Sequence, residues 1–301
     1  LYVSNAASNN VTAYRIGQSG SLTLVGTTTT GTTPWGVTVS PNGKWVYVSN
    51  QGANTVSQFS VNADGTLTSI GAAVATGAGP RELAVTRDNA ALFVGNQSGG
   101  SVSRYTINQT TGALTSAGAA VAAGTTTQTV MASPVADYLY VLGAGDAKLY
   151  GFAIGANAAL TPLATPSLAL TASVHSADIS ADGTRIVVGG STAGAYGQTV
   201  SLNTGTGAFT KIGNYALAAS AQYPIFSPDG AYVYSAVAGG AAVGQASISG
   251  AGALTALTPS SVVAGSGTHQ LRVAVPTLAA DTFTTSGANP SATPAFSLTF
   301  T

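Results

Sequence analysis

The chain has 301 residues, of which only 6% are charged, compared with about 25% in an average soluble domain. Nine Lys and Arg residues balance nine Asp and Glu residues without forming a basic cluster, so binding to nucleic acid or to an anionic membrane surface is not expected. The absence of cysteine excludes disulfides and thiol nucleophiles, and no apolar run reaches the roughly 18 residues of a transmembrane helix.

A short apolar motif recurs along most of the chain. One copy is Val46-Tyr47-Val48-Ser49-Asn50, and successive copies begin at steps of 45, 46, 47, 47 and 47 residues, at Leu1, Val46, Leu92, Leu139, Ile186 and Val233. A second motif, first seen as Gly20-Ser21-Leu22-Thr23, repeats independently with nearly the same period. Two motifs that share one period indicate a repeat protein.

The second repeat shows the predicted elements most clearly. In chain order they are a strand at 35–40, a tight turn at 40–43, a strand at 46–49, a strand at 56–61, a turn at 62–65 and a strand around Leu67. No segment shows the apolar spacing and caps of a helix. The sequence therefore predicts an all-β, seven-bladed β-propeller with four-stranded antiparallel blades, as a single domain over residues 1–301.

The two ends of the chain predict an irregular terminal blade. Leu1 begins in a second strand, residues 282–287 form a weak seventh copy of the motif, and residues 295–300 predict a third strand with no clear fourth. We therefore expect a terminal blade that is incomplete or shared between the chain ends, or a domain excised from a longer protein. A neighbouring copy that donated a strand to the open blade would produce self-assembly.

Six repeats carry a large polar or aromatic side chain at one equivalent position. These residues, at steps of 46, 47, 47, 47 and 48, are Trp35, Arg81, Gln128, His175, Gln222 and Gln270. The chain enters the innermost strand at this position, which in a propeller surrounds one mouth of the central channel. The ring of neutral donors and acceptors suits an uncharged sugar or peptide, with Trp35 as a stacking surface. Alternatively, these side chains only fill a hydrated channel.

Most acidic residues are predicted in turns. Six Asp residues are expected as turn formers: Asp64, Asp88, Asp137, Asp182, Asp229 and Asp281. Asp146 is predicted in a hairpin loop, whereas Asp178 lies inside an inner strand and needs either a structural partner or a function in the channel. Glu82 is expected to form a polar pair with the adjacent Arg81. No cluster has the spacing of a metal site, so neither a metal nor a cofactor is expected.

Two blocks, Ser40-Pro41-Asn42-Gly43-Lys44-Trp45-Val46-Tyr47-Val48 and Ser227-Pro228-Asp229-Gly230-Ala231-Tyr232-Val233-Tyr234, carry a resemblance to a known family. They resemble the repeat of YVTN-type propellers and of the seven-bladed lactonase family that includes phosphogluconolactonase-like proteins. In the lactonase branch, a Gly-Pro-Arg-His block and an Asn-Glu pair are the usual active-site candidates. This chain instead has Gly79-Pro80-Arg81-Glu82 and Asn96-Gln97, so it lacks that His and that Glu.

Two functions are compatible with these patterns. The scarcity of acids and bases and the low-charge surface favour a non-enzymatic extracellular or cell-envelope module with a protein or carbohydrate partner at the cell surface. The alternative is a lactone hydrolase of the phosphogluconolactonase-like family. In that case Arg81 would polarise the carbonyl, His175 would act as the base, and Glu82 or Asp178 would assist.

Overall fold

The computed structural model describes residues 1–171, 173–191, 197–215, 221–237 and 242–263. These residues form 25 strands, together with a single turn of 3-10 helix at Ala156–Ala158. The strands make six antiparallel sheets in chain order, and this arrangement confirms the predicted all-β propeller built from four-stranded antiparallel blades. The part of the chain that the structure describes holds no helix able to cross a membrane.

From blade 2 onwards, each blade begins with its inner strand and runs outwards in chain order. Blades 1 to 3 contain β1 (Tyr2–Asn5), β2 (Asn10–Ile16) and β3 (Leu22–Thr29); β4 (Pro34–Val39), β5 (Trp45–Asn50), β6 (Thr55–Val61), β7 (Leu67–Ser69) and β8 (Val74–Ala75); and β9 (Pro80–Val85), β10 (Ala91–Asn96), β11 (Ser101–Ile107), β12 (Leu114–Ser116) and β13 (Val121–Ala122). Blades 4 to 6 contain β14 (Thr127–Ala132), β15 (Tyr138–Gly143), β16 (Lys148–Ile154) and β17 (Leu160–Ala169); β18 (Val174–Ile179), β19 (Arg185–Gly190), β20 (Gly197–Leu202) and β21 (Phe209–Tyr215); and β22 (Ala221–Phe226), β23 (Tyr232–Val237), β24 (Ala242–Ile248) and β25 (Leu254–Val263).

The outer strand of blades 2 and 3 is interrupted. In blade 2 both β7 and β8 pair with β6, and in blade 3 both β12 and β13 pair with β11. Blade 1 has three strands among the described residues, and β1 carries the same motif as β5. The prediction that Leu1 lies at the start of a second strand is therefore confirmed. The strands expected at 282–287 and 295–300, and with them the terminal blade, lie outside the described residues.

The hydrophobic core lies between neighbouring blades. The second strands β5 and β10 are buried along their whole length, which explains why the repeat motif appears as a continuous apolar run and not as an alternating one. Tyr47 and Tyr140 are fully buried, and their hydroxyl groups donate hydrogen bonds to the carbonyls of Gly112 and Gly207 in the following blade. These tyrosines therefore join adjacent blades by both packing and hydrogen bonding.

The tight turn after each inner strand has the predicted chemistry. In blade 2, Gly43 has a φ of +71° and donates its N–H to the Ser40 carbonyl. Carboxylates accept hydrogen bonds within the equivalent turns at Asp88, Asp182 and Asp229, and Asp64 does so in the turn before β7. Asp146 lies in the predicted hairpin loop. Asp137 lies in the bend between β14 and β15, where its carboxylate forms an exposed ion pair with Arg87 at 3.1 Å.

Candidate functional site

Five of the six predicted ring residues occupy the second position of an inner strand. They are Trp35 in β4, Arg81 in β9, Gln128 in β14, His175 in β18 and Gln222 in β22. Gln270 lies outside the described residues. Trp35, Arg81, Gln128 and His175 line one narrow cleft at the end of the inner strands. The repeat spacing therefore identified four residues that lie together, although they are far apart in sequence.

Every inner strand among blades 2 to 6 contains a register shift at the ring position or directly after it. In blade 3, for example, Arg81 and Glu82 together face the single residue Gly95 on β10. A β-bulge of this kind changes the direction of a side chain. As a result, the ring residue and the residue after it both line the channel in blades 3 and 4.

A second series of residues lies one position after the ring, and from blade 3 onwards its members line the cavity. Its members are Gly36, Glu82, Thr129, Ser176 and Tyr223. Apart from Glu82, these residues were not predicted as site residues, because simple strand alternation would place them on the opposite face. Their spacing of 47 residues from Glu82 onwards is the signal that would have revealed them.

Contacts from the preceding blade fix the position of Arg81. The Ser49 hydroxyl donates a hydrogen bond to the Arg81 carbonyl at 2.5 Å, and the guanidinium carbon lies 4.0 Å from the centroid of the Trp35 ring. The second contact is a cation–π interaction. It also covers one face of Trp35, so that face is not open for stacking against a ligand.

The electrostatic environment of Arg81 is unusual for a guanidinium group. Burial lowers the pKa of Arg81, whereas the nearby Tyr223 and Glu82 act in the opposite direction. Its Nε is buried and has no hydrogen-bond partner in the described part of the chain. A buried donor without a partner is rare in folded proteins. The Nε of Arg81 therefore has a hydrogen-bonding capacity that the described residues do not use.

His175 lies across the cleft at the same position in blade 5. It is half-buried, and its Nε2 lies 3.1 Å from the hydroxyl oxygen of Ser191. Burial lowers the pKa of His175, because the charged imidazolium is less well solvated there. His175 is therefore neutral near pH 7 and able to accept a proton.

A cavity of about 280 Å³ adjoins the cleft deeper along the inner strands. Asp178 lines this cavity, and its Oδ2 accepts a hydrogen bond of 2.9 Å from the Phe226 N–H in the next blade. Asp178 thus has the structural partner considered from the sequence, and it also faces the cavity. The Ser176 hydroxyl is buried at the same cavity and has no hydrogen-bond partner within the described ranges.

Three residues line both the cleft and the cavity: Glu82, Thr129 and Tyr223. They connect Arg81 and His175 on one side with Asp178 and Ser176 on the other. All four candidate catalytic residues of the lactonase alternative therefore face one of two adjoining spaces. Across the described ranges, no three His, Asp or Glu side chains are grouped as metal ligands would be.

Comparison with known proteins supports the resemblance seen in the sequence. Residues 1–132 match the family described as "Lactonase, 7-bladed beta-propeller", which has the predicted number of blades. No curated protein sequence matches the chain. The match extends over less than half of the chain and lies in blades 1 to 4.

Three solved structures share the fold. A candidate 6-phosphogluconolactonase from Bacteroides uniformis has a TM-score of 0.77 and 18% identity, with 87% of this chain and 81% of that chain covered. The corresponding protein from Bacteroides fragilis has a TM-score of 0.74 and 18% identity, with coverage of 85% and 78%. A periplasmic gluconolactonase from Pseudomonas aeruginosa has a TM-score of 0.73 and 20% identity, with coverage of 85% and 78%.

These comparisons correct the functional interpretation. The reading of the chain as a non-enzymatic extracellular or cell-surface module is wrong, because the matching family is a lactonase family and similar structures include lactonases. They favour the alternative, a lactone hydrolase. Counting acids and bases over the whole chain was misleading, since two of the nine acids lie at the channel beside Arg81 and His175.

Proposed function

We propose that this protein hydrolyses a sugar lactone at the mouth of the propeller channel. The observation that carries the proposal is the convergence of Arg81, Glu82, His175 and Asp178 on two adjoining spaces. The match of residues 1–132 to the lactonase family supports the same reaction. Hydrolysis of a lactone is an ester cleavage that needs a base, a group that stabilises the oxyanion, and water.

Arg81 is suited to stabilise the oxyanion. Its guanidinium group is positioned by Trp35 and by the hydrogen bond between Ser49 and its own carbonyl, and its Nε has no partner in the described chain. A donor positioned in advance stabilises the negative charge that develops on the carbonyl oxygen without reorganisation during the reaction. Trp35 therefore acts as a positioning residue for Arg81.

His175 is suited to act as the general base. Because burial lowers the pKa of His175, the neutral imidazole predominates at neutral pH and can accept a proton from the attacking water. The Ser191 hydroxyl, 3.1 Å from Nε2, restricts the orientation of the ring. Activation of water by His175 and charge stabilisation by Arg81 together account for attack on the carbonyl.

Glu82 and Asp178 are suited to hold the hydroxyl groups of a sugar. Ionised carboxylates accept hydrogen bonds, and sugar hydroxyls donate them. Asp178 is oriented by the Phe226 N–H, and the neighbouring Thr129 and Ser176 add hydroxyl groups to the cavity wall. A cavity of about 280 Å³ has room for one sugar-sized ring.

The compartment and the oligomeric state are part of the proposal. The low charge of the chain and the periplasmic location of one structurally similar protein support a location in the cell envelope or outside the cell. In blade 1, β1 pairs with β2 alone among the described strands. Strand donation to this blade from a second copy is part of the proposal, and measurement of the molecular mass in solution tests it.

The experiment is the hydrolysis of glucono-δ-lactone, followed by proton release and corrected for spontaneous hydrolysis. We expect Arg81→Gln to lower kcat/KM by at least about 100-fold, the size of effect seen when one oxyanion donor is removed. Arg87→Gln is the matched control, because Arg87 follows β9 and forms only an exposed ion pair with Asp137. Equal rates for the two variants would exclude Arg81 from catalysis.

A further inference from the structure

Tyr223 has a backbone conformation that is unusual for a bulky residue. Its φ is +48°, in the left-handed region, although it lies within strand β22. Among the second series, no other residue with a side chain has a positive φ. Strained backbone of this kind persists only where the surrounding structure imposes it, and it is concentrated at functional sites.

The bulge in β22 places the Tyr223 side chain between the two spaces of the candidate site. Tyr223 lines the cleft together with Arg81 and His175, and it lines the cavity together with Glu82 and Asp178. It is also near enough to Arg81 to affect the pKa of that guanidinium group.

Lactone hydrolysis requires that a proton reaches the leaving ring oxygen. The ring oxygen leaves as an alkoxide, which is strongly basic. His175 accepts a proton from water at the start of the reaction, and Arg81 does not release its proton. Tyr223 lines both spaces, and a phenol group is able to pass a proton to the ring oxygen.

We infer that Tyr223 is the general acid that protonates the ring oxygen as the lactone opens, an inference that rests on the proposed function. Water adds to the carbonyl carbon and gives its proton to His175. The bond between the acyl carbon and the ring oxygen then breaks, and the phenol proton passes to that oxygen. The phenolate, stabilised by Arg81, recovers a proton from protonated His175 through water, and the product is the open hydroxy acid.

A comparison of two leaving groups tests this role. Tyr223→Phe retains the aromatic ring and removes only the hydroxyl group. We expect this variant to lower kcat for δ-valerolactone, which has an alkoxide leaving group, by about 100-fold or more. For dihydrocoumarin, whose phenol leaving group has a pKa near 10, we expect a loss below about 10-fold, since that group departs without a proton. Tyr232→Phe, at an exposed tyrosine, is the matched control.

The outcomes separate this inference from the function on which it rests. Equal losses for both lactones would show that Tyr223 only shapes the site, and would overturn its assignment as the acid. An unchanged rate in Tyr223→Phe, combined with a large loss in Arg81→Gln, would overturn the assignment while leaving the lactonase proposal in place. If the unmodified protein hydrolyses neither δ-valerolactone nor dihydrocoumarin nor glucono-δ-lactone, both proposals fail.

Discussion

The environment of His175 links its chemistry to the stability of the fold. Burial lowers the pKa of His175 below its ordinary value of 6.5. In the unfolded chain the imidazole titrates near that ordinary value. As the pH falls below about 6.5, the unfolded chain therefore binds a proton before the folded chain does, and the free energy of unfolding decreases.

The pH dependence of His175 gives a prediction for both activity and stability. We expect kcat/KM for glucono-δ-lactone to rise with pH through an apparent pKa below 6.5 and then to level off, because only the neutral imidazole accepts a proton. His175→Gln should remove this rise and reduce the loss of stability between pH 6.5 and pH 5. Rate profiles and thermal unfolding midpoints measured across that range check both effects. A rising limb retained in the variant would mean that another group is the base.

At the level of secondary structure, the bulges explain why some site residues were predicted from the sequence and others were not. The motif period predicted the strands, the turns and the ring position, because each depends on residue type at a fixed spacing. The bulge at Arg81 and Glu82 depends on how β9 pairs with β10, which strand alternation does not reveal. Tyr223 was therefore overlooked, although it directly follows a predicted ring residue.

Because the inner strands of blades 2 and 3 are in close contact at Gly36, we expect Gly36→Ala to lower both stability and activity. A Cβ at Gly36 would lie 2.8 Å from Leu83 Cδ1 and would overlap the Arg81 carbonyl oxygen. We expect this variant to lose about 1–3 kcal/mol of stability from overpacking, and to lose activity because β9 and Arg81 must move. Chemical denaturation and the lactone assay measure the two effects.

Gly250→Ala is the control for Gly36→Ala. A Cβ at Gly250 meets no atom within 4 Å, so its stability should change by less than about 0.5 kcal/mol. If Gly36→Ala were as stable and as active as the control, the inner strands of blades 2 and 3 would not be packed as closely as described.

Across the whole molecule, charge is scarce, but it is not evenly distributed. Among the described residues that line the cleft and the cavity, Arg81 is the single cation when His175 is neutral, and Glu82 and Asp178 are the acids. The sequence outside the described ranges adds only Arg272 and Asp281, whose charges cancel. The overall composition does not reveal this arrangement, because it averages over the whole chain. The incorrect prediction of a non-enzymatic module rested on that average.

The excess of carboxylates predicts discrimination against phosphorylated substrates. We expect kcat/KM for 6-phosphogluconolactone to be at least about 10-fold lower than for glucono-δ-lactone at low ionic strength, since like charges at a binding site are unfavourable. Added salt should narrow the difference by screening the repulsion. Initial rates with both lactones at two salt concentrations test this expectation. A preference for the phosphorylated lactone would contradict the charge assignment.

The repeated bulge also has a consequence for how this protein can change. Blades 3 to 5 each present two adjacent side chains to the cleft or the cavity, whereas the buried second strands β10 and β15 supply much of the core between blades. Gln128 and Thr129 in blade 4, for example, lie on β14, apart from the buried β15. Selectivity for the substrate can therefore change through substitutions in one blade at a time, while the packing between blades stays the same.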